Sequence, residues 1–260
     1  MVTLPTRDID NLTLTLQKRI NTKLSDVSGF SLLPGERMVF SSKTDNTFTV
    51  LKSDGSKDFE IKNIGRTFDV VFSGDDYIAV TSGNSNQIDI IDLKKKSKTK
   101  SIKVDSFNGG VAYKDGYLIY CAREKGIQMI SLNDETITNV NNTELSGAVC
   151  VTTFGDQLFY TNFNDSVTCC DYHGHILLTF CDKSLLLCPL GISVDNDGNV
   201  YVVGNRTQNV VVISPDGQHS RQLITSQEGL GDPWALHYDT STNALLVADV
   251  YHDAFLYNVK

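Results

Sequence analysis

The side chains able to do chemistry in this sequence are six cysteines, five histidines and a dispersed set of carboxylates. His173 and His175 flank Gly174 in a turn-like stretch. A zinc site needs three or four such donors, and two histidines alone leave it incomplete, so the pair reads as exposed turn residues. His219, His237 and His252 fall at unrelated places. Cys121, Cys150, Cys169, Cys170, Cys181 and Cys188 form no C-x2-C pair, and most sit in apolar runs such as Leu185-Leu186-Leu187-Cys188. That pattern suits buried, reduced thiols. The adjacent Cys169 and Cys170 would point to opposite faces of a strand. Asp195-Asn196-Asp197-Gly198 opens like a calcium loop, but Gly204 stands where a bidentate Glu is required. No G-x-S-x-G, G-x-x-x-x-G-K-[ST] or H-E-x-x-H is present. No catalytic residue, metal ligand or cofactor is expected.

The elements that would position such groups declare themselves by repetition. A turn followed by an apolar run recurs at Gly35–Phe40, Gly74–Val80, Lys114–Tyr120, Gly155–Tyr160, Asp197–Val202 and Thr242–Val247. Its equivalent positions Met38, Ile78, Leu118, Leu158, Val200 and Leu245 stand 40, 40, 40, 42 and 45 residues apart. Each unit has an apolar run ahead of the phrase, such as Phe68–Phe72, and a third run behind it, such as Val210–Ile213. Turns such as Ser53-Asp54-Gly55 and Pro215-Asp216-Gly217 follow the third run, and in most units a fourth comes after. Four short strands about every 40 residues predict an all-β, six-bladed β-propeller of four-stranded antiparallel blades.

The blades are expected at about 28–64, 67–104, 108–140, 146–181, 187–224 and 232–260, as one domain over residues 1–260. The last unit runs out after three strands. Asn11–Gln17 alternates apolar and polar residues and has no partner of its own. A closing strand over 11–21 would complete the sixth blade, and ring closure would protect edges that otherwise template aggregation.

Composition excludes several classes. A charge of −8 argues against broad, salt-driven binding to phosphate backbones. No stretch approaches 18 apolar residues, so no membrane-spanning helix is expected. Arg7, Asp8 and Asp10 stand where a signal peptide needs an apolar run, which points to a cytoplasmic, monomeric propeller. The Asn-x-[ST] sequons at Asn11, Asn141, Asn164 and Asn205 are then chance matches.

Pro189–Val203, continued by Asn209–Gly217, resembles an NHL repeat, and Asp232–Leu236 through Leu246–Asp249 matches it more loosely. The resemblance is specific over about 70 residues and architectural elsewhere. It implies that Gly191 lets an inner strand crowd its neighbour, and that Asp249 closes a turn by a side-chain-to-backbone hydrogen bond. Such propellers form the recognition domain of tripartite-motif and B-box proteins, so the resemblance implies a non-catalytic scaffold for a protein or peptide, as in ubiquitin ligases of that type. A first alternative is a calcium-dependent hydrolase of the lactonase-like propeller class, with its metal in the central channel. Asp69, Glu144 and Asp232 are its conceivable ligands, but Leu190 and Trp234 occupy the inner-strand positions where those enzymes place an acid. A second alternative is an RNA-binding NHL propeller.

In a propeller the loops between second and third strands share one face with those entering each inner strand, and binding concentrates on such loops. The rim they make here carries Asn84, Asn86, Arg123, Lys125, Phe163, Asn164, Asn205, Arg206, Tyr251 and His252, the candidate partner-binding residues. Lys94–Lys100, continuing to Lys103, falls at an outer strand away from that rim and reads as a solvated edge.

Overall fold

The structure, a computed structural model, describes residues 8–83, 85–145, 148–251 and 253–260. Its strands are β1 (Leu14–Asn21), then β2 (Val27–Leu33), β3 (Arg37–Ser42), β4 (Thr47–Leu51) and β5 (Lys57–Lys62) in the first blade. The second blade holds β6 (Thr67–Phe72), β7 (Tyr77–Ser82), β8 (Gln87–Asp92) and β9 (Ser97–Lys103). The third holds β10 (Asn108–Lys114), β11 (Tyr117–Ala122), β12 (Gly126–Ser131) and β13 (Ile137–Asn139). The fourth holds β14 (Val151–Phe154), β15 (Gln157–Asn162), β16 (Ser166–Asp171) and β17 (Ile176–Phe180). The fifth holds β18 (Pro189–Val194), β19 (Val200–Gly204), β20 (Asn209–Ile213) and β21 (Ser220–Ile224). The sixth holds β22 (Pro233–Asp239), β23 (Ala244–Asp249) and β24 (Asp253–Val259).

Each blade is an antiparallel meander, and the sixth takes its outer strand from the other end of the chain, in the order β1-β24-β23-β22. Leu14 faces Val259 and Asn21 faces Asp253 in that pairing. Thr13 and Lys260 exchange backbone hydrogen bonds of 2.9 and 3.0 Å just beyond it. The closing strand begins at Leu14 rather than Asn11. Asp8 caps a single 3-10 turn over Ile9–Asn11, and Ile9 and Leu12 turn into the core between the fifth and sixth blades. Two apolar residues three apart favour that turn over a continued strand.

A blade is covered on both faces, so its middle strands are apolar throughout rather than alternating. Val210 and Val212 of β20 face the sixth blade, whereas Val211 and Ile213 face the fourth. The same division separates Cys170, packed towards the third blade, from Cys169, packed towards the fifth. Burial pushes both thiols upward, Cys169 to about 12 and Cys170 to about 11, which leaves them protonated and inert. Cys181 departs from the expectation of buried thiols: it is exposed, because it lies past the end of β17.

The inner strands pack side by side around the axis, and β22 returns to β2. Their tightest layer reads Gly29, Asp69, Gly110, Cys150, Gly191 and Ala235, with glycine in alternate blades. A Cβ on Gly29 would lie 2.6 Å from Asp69 Cα, one on Gly110 2.5 Å from Cys150 Cα, and one on Gly191 2.6 Å from Ala235 Cα. Each glycine therefore admits the following blade at a distance that no side chain permits.

Candidate functional site

The axis has two dissimilar ends. At the loop end, the turns after β3, β7, β11, β15, β19 and β23 meet the segments that enter the inner strands. The contacts are direct: Arg123 N–H donates to Phe107 O at 3.0 Å, Leu145 N–H to Arg123 O at 2.9 Å, and Asp26 N–H to Val250 O at 3.2 Å. Three exposed aromatics stand there: Phe163 at 73%, Tyr251 at 63% and Phe107 at 42% of full exposure. Beside them a pocket of about 180 Å³ is lined by Phe68, Phe107, Asn108, Leu145, Val149 and Arg123, among others.

The rim residues expected from sequence divide by what their side chains do. Arg123 and Arg206 are exposed, and neither makes an ion pair among the described residues. Lys125 pairs with Asp105 at 3.0 Å. Asn164 accepts from the Ser166 hydroxyl at 2.6 Å and so fixes its own loop, whereas Asn205 donates to Pro233 O at 3.0 Å and ties the fifth blade to the sixth. Asn86 is exposed, and Tyr251 is hydrogen-bonded to Asp232. Asn84 and His252 lie outside the described residues. Asp249 Oδ1 accepts from the Tyr251 and Asp253 amides at 2.9 and 3.0 Å, the turn-closing role implied by the repeat.

Sequence reasoning did not find the group that covers the axis at this end. The Lys43 ammonium lies 3.7 Å from the Trp234 ring centre and 5.5 Å from that of Phe68. It thus bridges the first, sixth and second blades by cation–π contacts. Burial holds its pKa below the ordinary lysine range, against the opposing pull of Asp26. Phe68 and Trp234 stand 25 and 191 positions from Lys43 along the chain, and only ring closure brings the last of them to it.

From the glycine layer towards the opposite end, the axis opens into a cavity of about 590 Å³ that reaches the turns Pro34–Glu36 and Asp239–Thr242. Asp69 stands at its narrow end. Its Oδ1 accepts from Val70 N–H at 2.8 Å and its Oδ2 from Val111 N–H at 3.0 Å, which ties the second blade to the third. Burial pushes its carboxyl up to about 6, and the two amide bonds only partly offset that. His237 faces the cavity two residues past Ala235, and burial lowers its pKa to about 4, so it is neutral at pH 7. Asp239 follows at the mouth. Burial raises its pKa, but hydrogen bonds from Thr242 and Ser241 outweigh this and hold it below the usual range.

The other sequence candidates are occupied or dispersed. Asp195 is wholly buried and accepts from the Asp197 and Asn199 amides, each at 2.9 Å, from the Asn199 side chain at 3.0 Å and from Tyr201 at 3.2 Å. It is a turn, as its sequence implied. His175 bonds Asp171 at 2.8 Å on the surface. Glu144 is exposed and Asp232 half-buried on separate loops. Among the described residues, no three His, Cys, Asp or Glu side chains converge as a metal site would require. In the Lys94–Lys103 run, Lys94 pairs with Asp76 at 2.6 Å, Lys96 with Asp58 at 3.1 Å and Lys100 with Glu135 at 2.8 Å. Much of that basic charge is neutralised in place.

No protein-family model and no curated protein matches the sequence. Solved structures do. A structural-genomics protein of unknown function from Bacteroides thetaiotaomicron superposes with a TM-score of 0.78 at 12% identity, over 96% of this chain and 76% of the other. A streptogramin B lyase gives 0.70 at 15% identity, over 96% and 99%. The virginiamycin B lyase of Staphylococcus aureus gives 0.68 at 15% identity, over 95% and 99%. The likeness is one of fold. No family model supports the NHL resemblance of Pro189–Gly217. None of the described helices is long and apolar enough to cross a membrane.

Proposed function

We propose that this propeller is a non-catalytic recognition scaffold that binds a protein or peptide through its loop face. The observation that carries the reading is the gathering of exposed Phe163, Tyr251 and Phe107 with the unpaired Arg123 and Arg206 on one rim. Aromatic and arginine anchors dominate binding at protein interfaces, and these stand on a rigid ring. Asn86 and Lys125 belong to the outer part of the same surface. The NHL-like stretch supports the finer reading of a substrate-recognition part of a tripartite-motif or B-box type ubiquitin ligase, or a related scaffold. A cytoplasmic location goes with it, because a reducing compartment keeps such thiols unpaired. The test compares wild-type chain with F163A/Y251A/R123A, first by crosslinking in cell extract and then by calorimetry with the purified partner. The triple variant should bind at least tenfold more weakly, or about 1.4 kcal/mol, with its melting unchanged. Equal affinity would remove the loop face from the reading.

One observation favours a second reading. A propeller hydrolase or lyase would place its site in the central channel, where His237 and Asp69 face the 590 Å³ cavity. Thermal melting with calcium, with zinc and with chelator tests it, since a metal held only by the folded chain raises the melting temperature as its concentration passes the dissociation constant. A calcium-specific rise together with lactone hydrolysis would replace the scaffold reading.

A further inference from the structure

The cavity on the axis is electrostatically one-sided. Its lining includes three carboxylates, Asp69, Asp239 and Glu36, together with His237, and contains no lysine or arginine. The cation nearest its narrow end, Lys43, is held outside the lining against Trp234 and Phe68. Low-dielectric walls around charges of one sign focus their field into such a space. The acids are not arranged for one metal ion. Asp69, His237 and Asp239 belong to successive layers, and two residues along a strand cover about 6.6 Å. Among the described residues, these groups are not part of any set of three His, Cys, Asp or Glu side chains that could hold a metal ion. They can instead meet different parts of an extended organic molecule.

The walls between those layers supply the rest. Val71, Phe72, Tyr113 and Val194 give apolar surface, and Thr152 adds a hydroxyl from the fourth blade. Asp69 still has capacity at its end: a carboxylate has about four acceptor positions, and Val70 and Val111 use two. Among the described residues His237 has no hydrogen-bond partner, and it stands half-buried on the cavity wall. A ligand N–H could donate to the free ring nitrogen of its neutral imidazole.

We propose that the central channel is a binding site for an organic amine, whose ammonium group pairs with Asp69 at the narrow end while its apolar body lies along Val71, Tyr113 and Val194 towards Asp239 and Glu36. The site is separate from the loop face and stands whether or not that face binds a partner. Its occupant enters from the end bearing Pro34–Glu36 and Asp239–Thr242, because Trp234 and Lys43 cover the other.

Three probes of one shape test this on the full chain: 2-phenylethylamine, 2-phenylethanol and phenylacetate, titrated by calorimetry and followed by ligand-observed NMR. The amine should bind at least tenfold more tightly than the alcohol, and the acid should show no binding. D69N should erase the preference of amine over alcohol, and T152F, which fills the channel from a different blade, should abolish both. K62Q, at the end of the outer strand β5, should change neither. Equal binding of amine and alcohol would overturn the assignment, as would failure of all three probes to bind at millimolar concentration. So would an amine preference that survives D69N or, should D69N not fold, binding that survives T152F.

Discussion

At the residue scale, the channel holds two titrating groups whose effects on stability oppose each other. The folded pKa of Asp69, about 6, lies above the ordinary 3.8. Its contribution is therefore fully present below about pH 3.8 and lost as pH rises through 6, at most about 3 kcal/mol. The folded pKa of His237, about 4, lies below the ordinary 6.5. Its contribution is present above about pH 6.5 and lost as pH falls through 4, again at most about 3 kcal/mol. Between pH 4 and 6 the two slopes nearly cancel in the wild-type chain. Melting temperature measured across that range should fall towards acid more steeply in D69N than in wild type. In H237Q it should instead fall as pH rises. Parallel curves for the three proteins would mean that neither group is perturbed as described.

The element scale is governed by how closely inner strands approach and by how the ring is sealed. G110A would place a methyl 2.5 Å from Cys150 Cα, between two backbones that cannot both retreat. A loss of at least about 2 kcal/mol is expected, roughly 5 °C in melting temperature. G35A has no atom within 4 Å of its new methyl and meets only the strain of a φ of +75°, about 1 kcal/mol. If the two substitutions cost the same, the glycine layer is not what sets the spacing of the strands. Removing residues up to Asn21 deletes β1 and exposes the edge of β24, with Phe255 and Tyr257 beside it. That chain should aggregate on size-exclusion chromatography at concentrations where the intact chain does not. A well-behaved truncated monomer would show that the closing strand is dispensable.

Across the whole molecule, the two ends of one axis differ in charge and in cover. The loop end carries exposed aromatics, unpaired arginines and the Lys43–Trp234 contact, while the other end opens into an acid-lined cavity. Function can thus be lost at one end without disturbing the other. The exposed substitutions F163A and R206A should each leave stability within about 0.5 kcal/mol of wild type, as measured by denaturant titration. K94Q/K95Q/K96Q removes charges already paired with Asp76, Asp92 and Asp58, and should leave partner affinity and its salt dependence unchanged. A marked fall in salt dependence in that variant would return the lysine run to consideration as a binding surface.

The sequence by itself determined the ring. Its period, its turns and the unpartnered alternation near the start are local signals, because each blade is one meander whose turns need particular residues at fixed places. Asp195 and Asp249 were legible for the same reason: their hydrogen bonds from backbone amides close within four residues. Ile9 and Leu12 were not, since only their burial against the fifth and sixth blades makes a turn of what could have been more strand. Tertiary structure alone decided what lies on the axis. Asp69 meets Val111 forty-two positions away, and Lys43 meets Trp234 across the seam between the first and last blades. His237 looked like one scattered histidine until closure turned it inward. Residues near the axis belong to different blades and become neighbours only when the last blade takes up the first strand. Periodicity along the chain records how each blade folds, and it carries no information about which side chains the completed ring brings face to face.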